Sequence, residues 1–225
     1  MERELVDLSF EEWVLHVFDH EAEPSEPIWY HDFEAEYWYG PPAQIIEYLT
    51  RLFESPLPIL NDYSDHQLNQ GFWYIVSNGL SDYMFALVEE SVPIEKRVAC
   101  VHSFLTLFRD VFAVRCSPHL SHLDEPGASP LNSICYMWWD LLPIGGNTKT
   151  ADGDTLNQAM LSVMEQSLHL PSIACQEGAL HGLGHWAFHS RELVQTIIDT
   201  WLSTQNSLRP ELLSYARNAR AGYVQ

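Results

Sequence analysis

The sequence predicts an all-α fold made of antiparallel helix pairs, arranged either as a globular bundle or as a stacked α-solenoid. Three observations carry that expectation. Apolar residues recur at helical spacing in about nine or ten successive segments. Serine, proline and glycine stand where helices begin and end. No stretch alternates like a strand, and Asp152-Gly153 lacks the flanking strands of a hairpin.

The first helix follows Ser9, which with Glu12 fits a capping box, and its apolar face is Phe10, Trp13, Val14, Val17 and Phe18. It should stop near Glu23-Pro24. Residues 24–42 are rich in Pro, Trp and Tyr and read as an ordered irregular loop with a short helix around Phe33–Trp38. Gly40-Pro41-Pro42 opens a second helix bearing Ile45, Ile46, Leu49, Leu52 and Phe53, which Pro56 and Pro58 should end. Ser64 caps a third helix to about Asn78, stopped by Gly79. Ser81 caps a fourth, with Met84, Phe85, Leu87 and Val88. Pro93 begins the longest, reaching about Cys116.

Ser117 to Pro130 reads as a loop, followed by a helix over about 131–142 whose Cys135-Tyr-Met-Trp-Trp139 run is buried core. Residues 145–154 form a polar turn region. Helices over roughly 155–169, 172–189, 191–204 and 210–222 complete the chain. One domain spanning 1–225 is expected, with an acidic, aromatic-rich part (1–90) and a distinct C-terminal part (about 155–225).

Charge is the strongest compositional signal. Residues 1–40 hold 12 acids and one base, residues 41–90 hold 7 and one, so −17 of the net −20 lies in the first 90 residues. Such a field repels nucleic-acid backbones and anionic membranes, and it attracts a basic protein partner. It also serves plain solubility. No run reaches 18 apolar residues, and the acidic Met1-Glu-Arg-Glu4 start is unlike a secretory signal, so a cytoplasmic protein with reduced, buried cysteines is expected.

Two glycines in the C-terminal quarter, Gly182 and Gly184, would each cost about 1 kcal/mol in an exposed helix, which implies that another backbone approaches closely there. The run Cys175-Gln-Glu-Gly-Ala-Leu-His-Gly-Leu-Gly-His185-Trp and the later Arg209-Pro-Glu-Leu-Leu-Ser-Tyr-Ala-Arg-Asn-Ala-Arg-Ala-Gly222 resemble bacterial HEAT-like helical-repeat proteins. The resemblance covers less than a quarter of the chain. It implies paired helices, and protein binding rather than catalysis.

Two constellations are candidates for function. Glu177, His181, His185 and His189 recur every four residues, a drift of about 40° per step, and form a winding stripe on one helix. Two histidines at i and i+4 suit zinc or another divalent metal, which makes Glu177, His181 and His185 candidate ligands of a metal-dependent enzyme. The signature His-Glu-x-x-His is absent, since Gly182 stands where its glutamate would be. His189 is about 12 Å along the axis from His181, so a further ligand must come from elsewhere, with His16, His20, His119 and His122 as candidates. A packed or interfacial helix face is the other account of the same stripe.

The second constellation is Ile28-Trp-Tyr-His-Asp-Phe-Glu-Ala-Glu-Tyr-Trp-Tyr39. Its aromatic anchors beside acids suit a basic partner through Trp29, Tyr30, Asp32, Glu34, Glu36, Tyr37 and Trp38, while the same aromatics also suit a core. His16 and His20 are flanked by Glu12 and Asp19, whose carboxylates would favour protonated histidine and make the pair a pH-sensitive patch, and an ordinary solvated face is the other account. No nucleotide loop or nucleophile elbow is present. The leading expectation is therefore a non-catalytic protein-binding helical protein with no cofactor, such as an immunity or inhibitor protein for a basic partner. A metal-dependent enzyme and a structural subunit of a homo-oligomer are the alternatives.

Overall fold

The computed structural model describes residues 3–5, 7–22, 28–32, 34–146 and 151–224, and the fold is all-α. A short strand, β1 (Arg3–Leu5), precedes α1 (Phe10–Phe18), and β2 (Glu36–Trp38) leads into α2 (Pro42–Glu54). α3 (Pro56–Leu60) and α4 (Asp65–Val76) follow, then a 3-10 turn at Tyr83–Leu87. α5 (Ile94–Leu107) runs through a π-helical turn, Phe108–Phe112, into α6 (Ala113–Arg115). α7 (Leu131–Met137), α8 (Ala151–Leu168), α9 (Ile173–Trp186), α10 (Arg191–Thr204) and α11 (Pro210–Ala221) complete the chain.

Local chemistry explains most boundaries. The Ser9 side chain accepts from Glu12 N while the Glu12 carboxylate accepts from Ser9 N at 2.8 Å, so two orphan donors are satisfied at once. Ser64 and Gln67 repeat the device on α4. Pro42 sits at the start of α2, where a missing N–H costs nothing. The same reasoning corrects the expectation for Pro56: it opens α3 rather than only ending α2.

Other corrections come from longer-range bonds. The Ser81 hydroxyl donates to the Tyr74 carbonyl at 2.7 Å instead of capping a helix, and the segment after it is 3-10. The helix expected around Phe33–Trp38 is absent from its described part: Trp29–His31 is a 3-10 turn and Glu36–Trp38 is a strand, paired in parallel with Arg3–Leu5. Phe33 and the expected stop at Glu23-Pro24 lie outside the described residues. α1 in fact ends at Phe18.

Buried side chains from both halves of the chain form one contiguous cluster, in which Trp138 and Trp139 meet Phe104 and Phe108. α9 lies at the centre of the C-terminal half, in contact with α7, α8, α10 and α11. The glycines let it sit that close. A Cβ on Gly178 would lie 2.5 Å from the Cys135 carbonyl oxygen on α7, and one on Gly182 would lie 2.6 Å from Trp139 Cβ. Cys100, Cys135 and Cys175 are buried and Cys116 is half-buried, all as free thiols. No helix among the described residues is long and apolar enough to cross a membrane.

Candidate functional site

In the N-terminal half, aromatics turn in and acids turn out. Tyr30 and Trp38 are core, and Trp38 stacks on Tyr48 at 5.6 Å. Trp29 and Tyr37 are half-buried against the same cluster, with Trp29 stacked on His20 at 4.1 Å. Asp32, Glu34 and Glu36 are exposed. Of the predicted contact set, then, the carboxylates face solvent and the aromatics mostly support the fold. Every described acid from Asp7 to Glu90 is exposed except Asp65, which is half-buried and accepts from Arg115 at 2.6 Å.

A cleft of about 610 Å³ opens at the edge of this acidic part, between α2, α3 and α5. Ile46, Pro58 and Ile59 give it an apolar floor, Glu47 and Glu54 line it from positions about two turns apart on α2, and the exposed Lys96 lines it from α5. Arg51, also on its wall, is turned to Glu11 at 2.7 Å and lies over the Phe10 ring at 3.8 Å. Sequence reading passed over this cleft. Glu47 and Glu54 look like ordinary solvated positions of an amphipathic helix until α3 and α5 are placed beside them.

His16 does not behave as an acid-stabilised histidine. His16 is largely buried against Trp29 and Tyr74, with no hydrogen-bond partner for its Nε2 among the described residues. Burial, and then the nearby His20, push its pKa down to about 4, opposite to the direction predicted from neighbouring carboxylates. The His20 Nε2–H donates to the His16 carbonyl at 2.7 Å.

On α9 the stripe divides. Glu177 is fully buried and faces the 117–130 loop: its carboxylate accepts from the backbone N–H groups of Ser121 (2.8 Å) and His122 (3.0 Å) and from His122 Nδ1 (2.6 Å). Asn132 and the Glu125–Arg209 ion pair hold the same loop. His189 has left the stripe, because α9 ends at Trp186 and His189 sits in the following turn. His119 bonds Ser117 Oγ at 2.8 Å, and His122 stacks on Tyr215 at 4.2 Å.

His181 and His185 remain together, their Nε2 atoms 3.2 Å apart. Their third neighbour is Asp140, just beyond α7, with Oδ1 3.6 Å from His185 Nε2. One ligand atom from each of Asp140, His181 and His185 lies within 4.8 Å of the other two, so Asp140 stands where the sequence reading put Glu177. His181 is buried, and burial followed by the charges of His185 and His122 pushes its pKa down to about 3. Its Nδ1 meets Tyr215 OH at 2.8 Å, and Tyr215 OH meets Tyr136 OH at 2.8 Å.

No family model, curated protein or solved structure matches this chain. Its function must be argued from these two regions alone.

Proposed function

We propose that the chain is a non-catalytic helical protein that binds a basic protein partner, with the cleft between α2, α3 and α5 as the anchoring point. The observation that carries this is the cleft's apolar floor (Ile46, Pro58, Ile59) with two carboxylates, Glu47 and Glu54, on its α2 wall; of the two cations beside them, Arg51 is turned to Glu11 and Lys96 is exposed on α5. An arginine or lysine side chain has the matching form: an aliphatic stem that packs on apolar surface and a cationic head that meets carboxylates. The surrounding exposed acids, including Asp32, Glu34 and Glu36, add long-range attraction that speeds encounter. An immunity or inhibitor role for a basic toxin or nuclease fits such a surface. The resemblance of residues 175–222 to HEAT-like repeat proteins supports the same class of function.

The test is position-specific. Wild-type protein, Glu47→Gln/Glu54→Gln and the charge-matched control Glu165→Gln/Glu192→Gln are each immobilised and exposed to extract of the source cells. The reading predicts a basic protein held by wild type and control, lost from the cleft variant by tenfold or more, and released as salt rises. Equal capture by all three baits, or an acidic partner, would sink it.

A further inference from the structure

We propose that Asp140, His181 and His185 form a divalent-metal site suited to zinc, with at least one coordination position open to solvent. It is independent of the acidic cleft and goes beyond a protein-binding role.

The argument begins with the bite of the two imidazoles. Zinc–nitrogen bonds are about 2.0–2.1 Å, so one ion bound to two nitrogens 3.2 Å apart subtends about 103°, close to the tetrahedral value of about 109°. With a zinc–oxygen bond of about 2.1 Å, the 3.6 Å between His185 Nε2 and Asp140 Oδ1 corresponds to about 120° at the same ion. Asp140 and His185 are half-exposed, so their side chains can adjust to the ion without disturbing the core. Two imidazoles and a carboxylate are the donor set of a borderline divalent cation, and three protein ligands leave a fourth position for water.

The surroundings favour the ligand form of His181. With its Nδ1–H donating to the Tyr215 oxygen, the ring presents an unprotonated Nε2 toward His185. Tyr215 is itself hydrogen-bonded to Tyr136, and the Tyr136 ring lies 4.1 Å from the His181 ring, so the orientation of His181 is set by a second layer of side chains. The competing arrangement has no ion: the His185 Nε2–H simply donates to His181 Nε2.

Metal-stripped chain is titrated with zinc against a chromogenic chelator and separately with cobalt(II), whose visible spectrum reports coordination. The variants are His185→Ala and Asp140→Asn, both at half-exposed positions, and Tyr215→Phe, which keeps the packing but removes the bond to His181. Circular dichroism checks that each is folded. The expected result is one zinc per chain at micromolar affinity or better and the intense bands of four-coordinate cobalt. Affinity should fall at least 100-fold in His185→Ala and about 10–100-fold in Tyr215→Phe. Absence of zinc binding overturns the proposal, and so does stoichiometric binding that His185→Ala leaves unchanged, since that would place the ion on other histidines.

Discussion

Replacing Gly178 by alanine tests the packing around α9, on which the whole C-terminal half depends. The new Cβ would lie 2.5 Å from the Cys135 carbonyl oxygen and 3.5 Å from Tyr136 Cα, whereas ordinary contact begins near 3.4 Å. The obstacle is backbone, so α7 and α9 must separate by several tenths of an ångström, and α7 leads directly into the buried Trp138 and Trp139. Because backbone cannot rotate aside, the overpacking cost falls in the upper part of the usual range, about 2–3 kcal/mol. Alanine's better helix propensity returns about 1 kcal/mol, so a net loss of about 1–2 kcal/mol follows. For a chain of this length, that lowers the melting temperature by about 3–6 °C. Gly184 is the internal control: its Cβ would meet Val224 Cγ1 at 2.4 Å, but Val224 is a side chain near the C-terminus that can move aside. Gly184→Ala should therefore be neutral or slightly stabilising. Urea and thermal unfolding of both variants decide the matter. A Gly178→Ala protein as stable as wild type, or a Gly184→Ala protein that loses more, would refute the close packing described here.

Three further outcomes follow from named contacts. Glu177→Gln keeps the shape but removes the charge that three donors meet in a buried site, at a cost of about 1–3 kcal/mol, and hydrogen exchange over 117–130 should accelerate; unchanged exchange there would contradict the role given to Glu177. Ser9→Ala removes the capping box and should cost about 1 kcal/mol, read from the urea midpoint. His16 titrates at about 4 when folded and near 6.5 when unfolded. The unfolded chain therefore takes up the proton first as pH falls. This contribution to stability is complete above about pH 6.5 and declines by up to about 1.4 kcal/mol per pH unit toward pH 4. Unfolding of His16→Asn should show a shallower decline over that window, and an identical slope would count against burial of the neutral ring.

What was legible in the sequence was local. Ser9 and Ser64 announced their helices because a capping box is complete within four residues. Pro42, Arg191 and Pro210 begin helices within a residue or two of the expected starts. Gly182 and Gly184 signalled close packing, but the atoms nearest them belong to the Trp139, Met164 and Val224 side chains, and the backbone approach expected there is found at Gly178 instead. The misses involve distant partners. β1 and β2 are three residues each and pair across more than thirty positions, too short for alternation to register. Ser81 had the look of a cap but found the Tyr74 carbonyl instead. The π turn at Phe108–Phe112 sits inside an apolar run whose periodicity does not reveal it.

The site shows the same division. Helical spacing brought His181 and His185 onto one face, but it could not say that Glu177, one step earlier, faces the 117–130 loop. Asp140 is 41 residues before His181, and only the packing of α7 on α9 brings it there. In the N-terminal half, the alternation of aromatics and acids suited both a contact surface and a core. Of those two accounts the structure takes the core for Trp38 and Tyr30; the pattern did not show that α3 and α5 would enclose a cleft beside Glu47 and Glu54.

The most direct test of the proposed function is native mass spectrometry of the chain purified from its own cells, without a tag, at low ionic strength. The account predicts a complex with a basic protein that dissociates as ammonium acetate is raised and fails to form with Glu47→Gln/Glu54→Gln. Free monomer, or copies of this chain alone, at every ionic strength would contradict it.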